Sequence, residues 1–192
     1  MRTMISSRLT LRPICDEDIP FITSLLSSED RTKYLFSGTT MEPRQAAAFI
    51  NQHFTGDETG VGMGVLATNR PERLVGFAGI IPTDCLGNQD FEFGFVLSQW
   101  AERNDYATEI GTLQMQYAFE TLRLSQILAL AHPENRASVH LLRDKLGMTE
   151  VSRLGKTAHR GPRIIFCRQK TEGLPEVRGK GWDPDFRLDE NK

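Results

Sequence analysis

Residues 8–14 (RLTLRPI) alternate apolar and polar positions, the period of a half-buried strand, and Pro13 marks its end as an edge or exit. Residues 16–27 read as a helix capped by Asp16, with Ile19, Ile22, Leu25 and Leu26 on one face. A second helix is expected over 42–54, with Pro43 at its start. Strands are expected over 61–68 and 74–82, turned by Arg70, Pro71 and Glu72, and over the aromatic-rich run 91–97. A polar stretch (98–104) leads into a long helix over 105–122, where Ile110, Leu113 and Tyr117 mark a buried stripe. A short apolar strand (126–131) follows, then Pro133 and Glu134, then a helix over 136–146 that Gly147 stops. Residues 149–153 and 163–167 are expected to close the domain as a hairpin around the loop 155–162.

Three adjacent strands followed by strand–helix–strand crossovers predict an α/β (α+β) architecture: a mixed sheet with helices on both faces. The pattern changes after residue 170. Residues 171–192 carry six acids and four bases, and only Leu174, Val177, Trp182, Phe186 and Leu188 as apolar anchors. The expected organisation is one domain over 1–170 and a C-terminal tail over 171–192, flexible or docked on the domain.

Composition narrows the classes. Of 192 residues, 39% are hydrophobic and 25% charged, which fits a globular chain. The formal charge of −2, without a basic stripe, argues against nucleic acid or a membrane surface as partner. No apolar run approaches the roughly 20 residues of a bilayer span. Cys15, Cys85 and Cys167 are far apart and odd in number, with no CxxC or Cys/His pairing. A disulfide scaffold or metal site is not expected, and a cytoplasmic setting is.

The chemistry-bearing residues cluster between 92 and 148. They are the strand EFGFVL with Glu92 at its start, YATE at 106–109, PENxAS at 133–138 and KLGM at 145–148. This ensemble, in this order, resembles the GNAT superfamily of acyl-CoA-dependent N-acyltransferases. Within it, the resemblance is to the branch that includes ribosomal-protein alanine acetyltransferases. It runs from about residue 8 to 170.

The resemblance implies a mostly antiparallel sheet with one splayed strand. Backbone groups of that strand, here Phe95, Val96 and Leu97, would hold the pantetheine of acetyl-CoA. The loop and helix start after it, here Arg103, Asn104, Asp105, Tyr106, Ala107 and Thr108, would bind pyrophosphate through orphan amides and the helix dipole. Asn135 and Ser138 match family residues near the cofactor, and helix capping explains their position equally well. Glu92 matches an acid that takes the amine proton. The acceptor would be a primary amine of a small molecule or a protein N-terminus, bound by a monomer or homodimer.

Three departures from the family pattern stand out. The phosphate loop usually reads (Arg/Gln)-x-x-Gly-x-(Gly/Ala), whereas here Glu102 and Asp105 fill the first and central positions. A capping carboxylate at Asp105 would satisfy the amides a phosphate needs and repel it. Many members carry a tyrosine on the last helix to protonate the departing thiolate, and none lies between 135 and 147, where Leu142 and Arg143 stand instead. That segment is also one residue longer than the commonest family pattern. Two outcomes stay open: acetyl-CoA use is retained, or the fold persists with a cleft that binds a ligand or runs CoA-independent chemistry. Other candidates are His132 and His140 as proton carriers, and Trp100 at the cleft mouth. Phe36, Phe49, Phe54 and Met63 could wall an acceptor pocket, with Glu42, Asp57 and Glu58 as its negative charge.

Overall fold

In the computed structural model, residues 2–54, 60–157 and 160–170 are described. Asp57, Glu58 and the segment 171–192 lie outside the described residues. Eight strands form one sheet in the order β1-β2-β3-β4-β5-β6-β8-β7. They are β1 (Met4–Ile5), β2 (Leu9–Arg12), β3 (Gly62–Thr68), β4 (Leu74–Thr83), β5 (Asp90–Leu97), β6 (Gln126–Ala131), β7 (Thr149–Leu154) and β8 (Arg163–Gln169). Every pairing is antiparallel except β5 with β6. The β7–β8 hairpin forms as expected, with β7 at the edge of the sheet.

Helices α1 (Ile19–Leu26), α2 (Glu29–Thr32) and α3 (Pro43–His53) precede β3, and α4 (Tyr106–Gln116) and α5 (Arg136–His140) follow β5 and β6. Two cores separate the faces. Ile22, Leu25, Leu26, Ala46 and Ile50 of α1 and α3 pack with Val65 and Phe77 of β3 and β4. Ile110, Leu113 and Met115 of α4 pack with Leu11, Ile80, Phe93 and Phe166 on the other face. Strand β5 shows the alternation directly: Phe91, Phe93, Phe95 and Leu97 join the α4 side, and Val96 joins the α1–α3 side.

Local chemistry moves several boundaries. Asp16 does not cap the first helix. A 3-10 turn (Asp16–Asp18) comes first, and the Asp18 carboxylate accepts from the Cys15 N–H at 2.9 Å and pairs with Arg12 at 2.6 Å. Ile19, expected on the buried face, is 38% exposed. The short helix α2 and the two-residue strand β1 were missed, because neither is long enough to show a period. Helix α3 begins as expected: Pro43 sits in the first turn and the Glu42 N–H donates to Gln45 at 2.9 Å.

The long helix and the last helix both end in π turns, over Tyr117–Thr121 and Leu141–Lys145. In the second, the Leu146 N–H reaches back five residues to the Leu141 carbonyl. A π turn absorbs one extra residue without breaking the helix. That accounts for the additional residue between 135 and 147. Gly147 then takes a left-handed φ of 61° and stops the helix.

Candidate functional site

The two parallel strands β5 and β6 meet at one pair, Glu92 with Leu128. Residues 93–97 run on beyond that pair while β4 holds them along their other side from Asp90 to Leu97. The sheet therefore opens at the C-terminal ends of β5 and β6, and Glu92 stands at the apex. Since both strands point the same way, the starts of α4 and α5 lie at the open edge. About 16 Å of strand separates Glu92 from Leu97 at the mouth.

Gly94 forms the floor of the opening. A Cβ added there would meet nothing within 4 Å. It lies between Glu92 and Val96 on the face toward α1 and α3.

Glu92 is half-buried. Burial pushes its carboxyl above the ordinary glutamate range, opposed by the Thr83 hydroxyl and the charges of Arg160 and Arg163. A carboxylate so raised is a better proton acceptor than a solvated one.

At the mouth, the loop before α4 has an unusual backbone. Arg103 and Asp105 both adopt left-handed conformations, φ 60° and 62°. Glycine takes such angles without steric cost, and Asp tolerates them better than most residues. Position 105 thus keeps the shape that a glycine would give. The expected capping is absent: the Asp105 carboxylate makes no cap bond to the helix and accepts instead from the Thr108 hydroxyl at 2.7 Å. The first intrahelical bond runs from the Glu109 N–H to the Asp105 carbonyl, so the amides of Tyr106, Ala107 and Thr108 have no intrahelical acceptor. Asn104 shapes the turn, donating to the carbonyls of Trp100 and Glu102.

The second acid of the loop is neutralised. Arg31 of α2 binds the Glu102 carboxylate and also donates to the Leu97 carbonyl at 3.2 Å. Sequence reading missed this partner, because Arg31 lies 71 positions away. Arg103 itself is exposed.

Glu109 of YATE has a structural task. It is 7% exposed. Its carboxylate accepts from Ser6 at 2.6 Å, Ser7 at 3.2 Å, the Arg8 N–H at 2.9 Å and the Arg8 guanidinium at 2.7 Å. It fastens the β1–β2 hairpin to the first turn of α4 and so holds the amides of that turn in place. Glu109→Ala is expected to lower unfolding free energy by about 2–3 kcal/mol, since several buried donors lose their acceptor. Urea denaturation reads this directly.

The other expected residues fall in distinct roles. The Asn135 side chain accepts from the Ser138 N–H at 3.2 Å and caps α5 at the mouth. Leu142 is core, 4% exposed, and Arg143 points away to Glu150 at 3.2 Å. His140 is exposed and paired with Asp144 at 2.7 Å. Trp100 carries the Arg73 guanidinium 3.6 Å above its ring. Phe54 is core, and Phe36, Phe49 and Met63 pack against the same cluster.

The start of β8 brings a basic residue that sequence reading did not single out: Ile164 pairs with Ala131, so Arg163 lies at the C-terminal end of β6, near His132. The Phe36 carbonyl, on a left-handed residue (φ 43°), accepts from the Gly161 N–H at 2.8 Å and from Arg163 at 3.0 Å. This ties the loop after α2 to the loop before β8. His132 stacks on Tyr34 at 5.2 Å, and its Nδ1 accepts from the Glu134 N–H at 3.2 Å. A Cβ at 161 would lie 3.2 Å from His132 and 3.3 Å from Arg163, so either side chain would have to yield to a larger residue there.

Comparison with known proteins now decides the family. A profile described as acetyltransferase (GNAT) domain matches residues 8–149. The chain belongs to the GNAT acetyltransferase family. Among curated relatives, it is 28% identical to the uncharacterized N-acetyltransferase YoaA of Bacillus subtilis over 71% of this chain and 77% of that one. It is 25% identical to the uncharacterized protein YkkB of the same organism, over 76% and 84%. Among solved structures, a GNAT-family acetyltransferase from Bacillus anthracis superposes with a TM-score of 0.73 at 20% identity, covering 88% of this chain and 99% of that one. Spermidine N-acetyltransferase from Vibrio cholerae, in complex with CoA and spermine, superposes with a TM-score of 0.70 at 20% identity, covering 86% and 97%. The GNAT fold of the eight-stranded sheet is thereby established. No helix among the described residues is long and apolar enough to cross a membrane.

Proposed function

We propose that this GNAT protein transfers an acetyl group from acetyl-CoA to a primary amine, on a small molecule or a protein N-terminus. The single observation that carries the reading is the opening between β5 and β6, with Glu92 at its apex and the free first-turn amides of α4 at its mouth. Acetyl-CoA would supply a thioester carbonyl. Backbone groups of Phe95, Val96 and Leu97 would line its arm. The amides of Tyr106, Ala107 and Thr108, within the loop Arg103-Asn104-Asp105, would hold the pyrophosphate, with Asn135 and Ser138 on the far side of the mouth. Glu92 accepts the amine's proton, directly or through water, as the new N–C bond forms and the C–S bond breaks. The domain is taken as 1–170 and the segment 171–192 as a tail, in a cytoplasmic monomer or homodimer close in kind to the ribosomal-protein alanine acetyltransferases.

Calorimetry with acetyl-CoA tests this reading, and absence of heat at high micromolar protein overturns it. Asp105→Gly keeps the left-handed backbone and removes a charge beside the pyrophosphate. It is expected to tighten acetyl-CoA about fivefold, the size of one modest repulsion at the surface.

Leu142 favours a second reading. It is buried where a family tyrosine would protonate the leaving thiolate. A GNAT fold that has lost acetyl-CoA-dependent transfer would keep its cleft for another ligand or for CoA-independent chemistry. Replacing Arg103-Asn104-Asp105 by Gly-Lys-Gly would then create CoA binding in a chain that lacks it.

A further inference from the structure

The basic group on the β8 side bears on the acceptor. Arg163 is 7% exposed, and two of its nitrogens are fixed by the carbonyls of Pro162 at 2.9 Å and Phe36 at 3.0 Å. Its guanidinium is therefore held in one orientation rather than swinging in solvent. The Nε of Arg160 is buried without a hydrogen-bond partner. Among the described residues, no carboxylate lies within salt-bridge distance of either arginine. The register of β6 with β8 sets Arg163 beside His132 at the open end of the sheet, and the charges of both arginines oppose the raised Glu92 carboxyl. Asp90, two residues from Glu92 on the same strand face, accepts from the Gln126 amide at 2.7 Å through one oxygen, and its other oxygen is buried without a partner.

A buried guanidinium with no carboxylate in contact is costly, and a charged partner relieves the cost; Arg163 is such a group, and Arg160 is half-buried with its Nε unpaired. An ammonium approaching Glu92 meets two guanidinium groups. A polyamine would add repulsion there. A substrate with its own anion would supply the missing partner.

We propose that the acceptor amine also carries a carboxylate, bound by Arg160 and Arg163, so that the substrate class is the free amino acid and not the polyamine. This rests on the acetyltransferase reading above. Arginine suits the role because its planar fork matches a carboxylate in bidentate fashion. Phe36 sets the direction: its carbonyl, on a left-handed residue, fixes Arg163, and Tyr34 of the same loop packs on His132.

The test uses the full chain, acetyl-CoA and matched acceptors: the common amino acids, their methyl esters, and spermidine. Release of CoA thiol is followed. Free acids are expected to exceed their own esters in kcat/KM by about 10- to 100-fold, the range of one charge-assisted hydrogen-bonded pair. In Arg160→Ala the acid-to-ester ratio is expected to collapse toward one, and Arg160→Lys is expected to restore part of it. Such a ratio is insensitive to a general loss of folded enzyme. Equal use of acids and esters, preference for spermidine, turnover of none of these acceptors, or an unchanged ratio in Arg160→Ala overturns the inference. Calorimetry separates the two failures. If acetyl-CoA binds and the ratio is flat, only the acceptor class falls; if acetyl-CoA does not bind, the acetyltransferase reading falls and takes the inference with it.

Discussion

Glu92→Gln is expected to lower kcat by about 10²- to 10⁴-fold while leaving acetyl-CoA binding within a factor of about two. The range is that of removing a positioned general base. Gln keeps the size and the hydrogen-bonding oxygen, so the apex of the opening should not collapse. Pre-steady-state and steady-state rates of thiol release, set beside calorimetry, separate the two quantities. Equal losses in binding and turnover would mean that Glu92 holds the strands and not the proton.

The pH profile gives a second check. A base works deprotonated, and burial raises the Glu92 carboxyl above the range of an exposed glutamate. Activity of the natural protein should fall on acidification through that raised pKa, and the acid limb should move in Arg160→Ala, which removes an opposing charge. Stability follows the same group with its own sign. Folded Glu92 holds its proton more tightly than the unfolded chain does. Its contribution is favourable at low pH and is lost as pH rises through the folded pKa. Glu92→Gln should therefore unfold no earlier than the natural protein at pH 8. The loss of activity then cannot be assigned to a loss of fold.

The fold was legible wherever periodicity and length were both present. Strand β6 was bounded correctly from its apolar run, and the pairing of β7 with β8 was expected, though β7 runs one residue and β8 two residues further than expected. The short elements β1 and α2 carried no such signal. At the site, Glu92 and the strand 95–97 were singled out through the family resemblance alone, since neither periodicity nor composition marks them. The basic group was not legible. Arg31, Arg160 and Arg163 act across 71, 68 and 71 positions on Glu102 and Glu92, and no local spacing reports a contact that distant.

The loop before α4 departs from the sequence expectation. Reading Asp105 as a cap assumed an extended residue whose side chain turns back to the amides. A left-handed residue points its side chain elsewhere, and here the carboxylate meets Thr108. The substitution of glycine was thus a change of charge and not of shape. Glu102 likewise brings a charge that Arg31 answers. The near-neutral composition concealed both compensations, since it counts charges and does not place them.

Gly94→Leu is expected to reduce kcat/KM by at least about 100-fold and to remove the calorimetric signal of acetyl-CoA, with no loss of stability. The Cβ itself meets nothing, so the backbone has no reason to move. Gly94 is in a strand, without the positive φ that would make a side chain strained, and replacing glycine in a strand interior favours folding by up to about 1 kcal/mol. The Leu side chain must then enter the open room between Glu92 and Val96. A displacement of about 1 Å in a reacting group costs about 10²-fold, and a leucine displaces more than that. Gly94→Ala, one methyl group, should fall between the two. Thermal denaturation of all three proteins in parallel shows whether the fold is kept. A stable Gly94→Leu protein that still binds and uses acetyl-CoA would place the thioester somewhere other than along β5. It would leave the opening of the sheet without a role in acyl transfer, because no other surface described here joins a raised carboxyl, free helix amides and open strand backbone in one line.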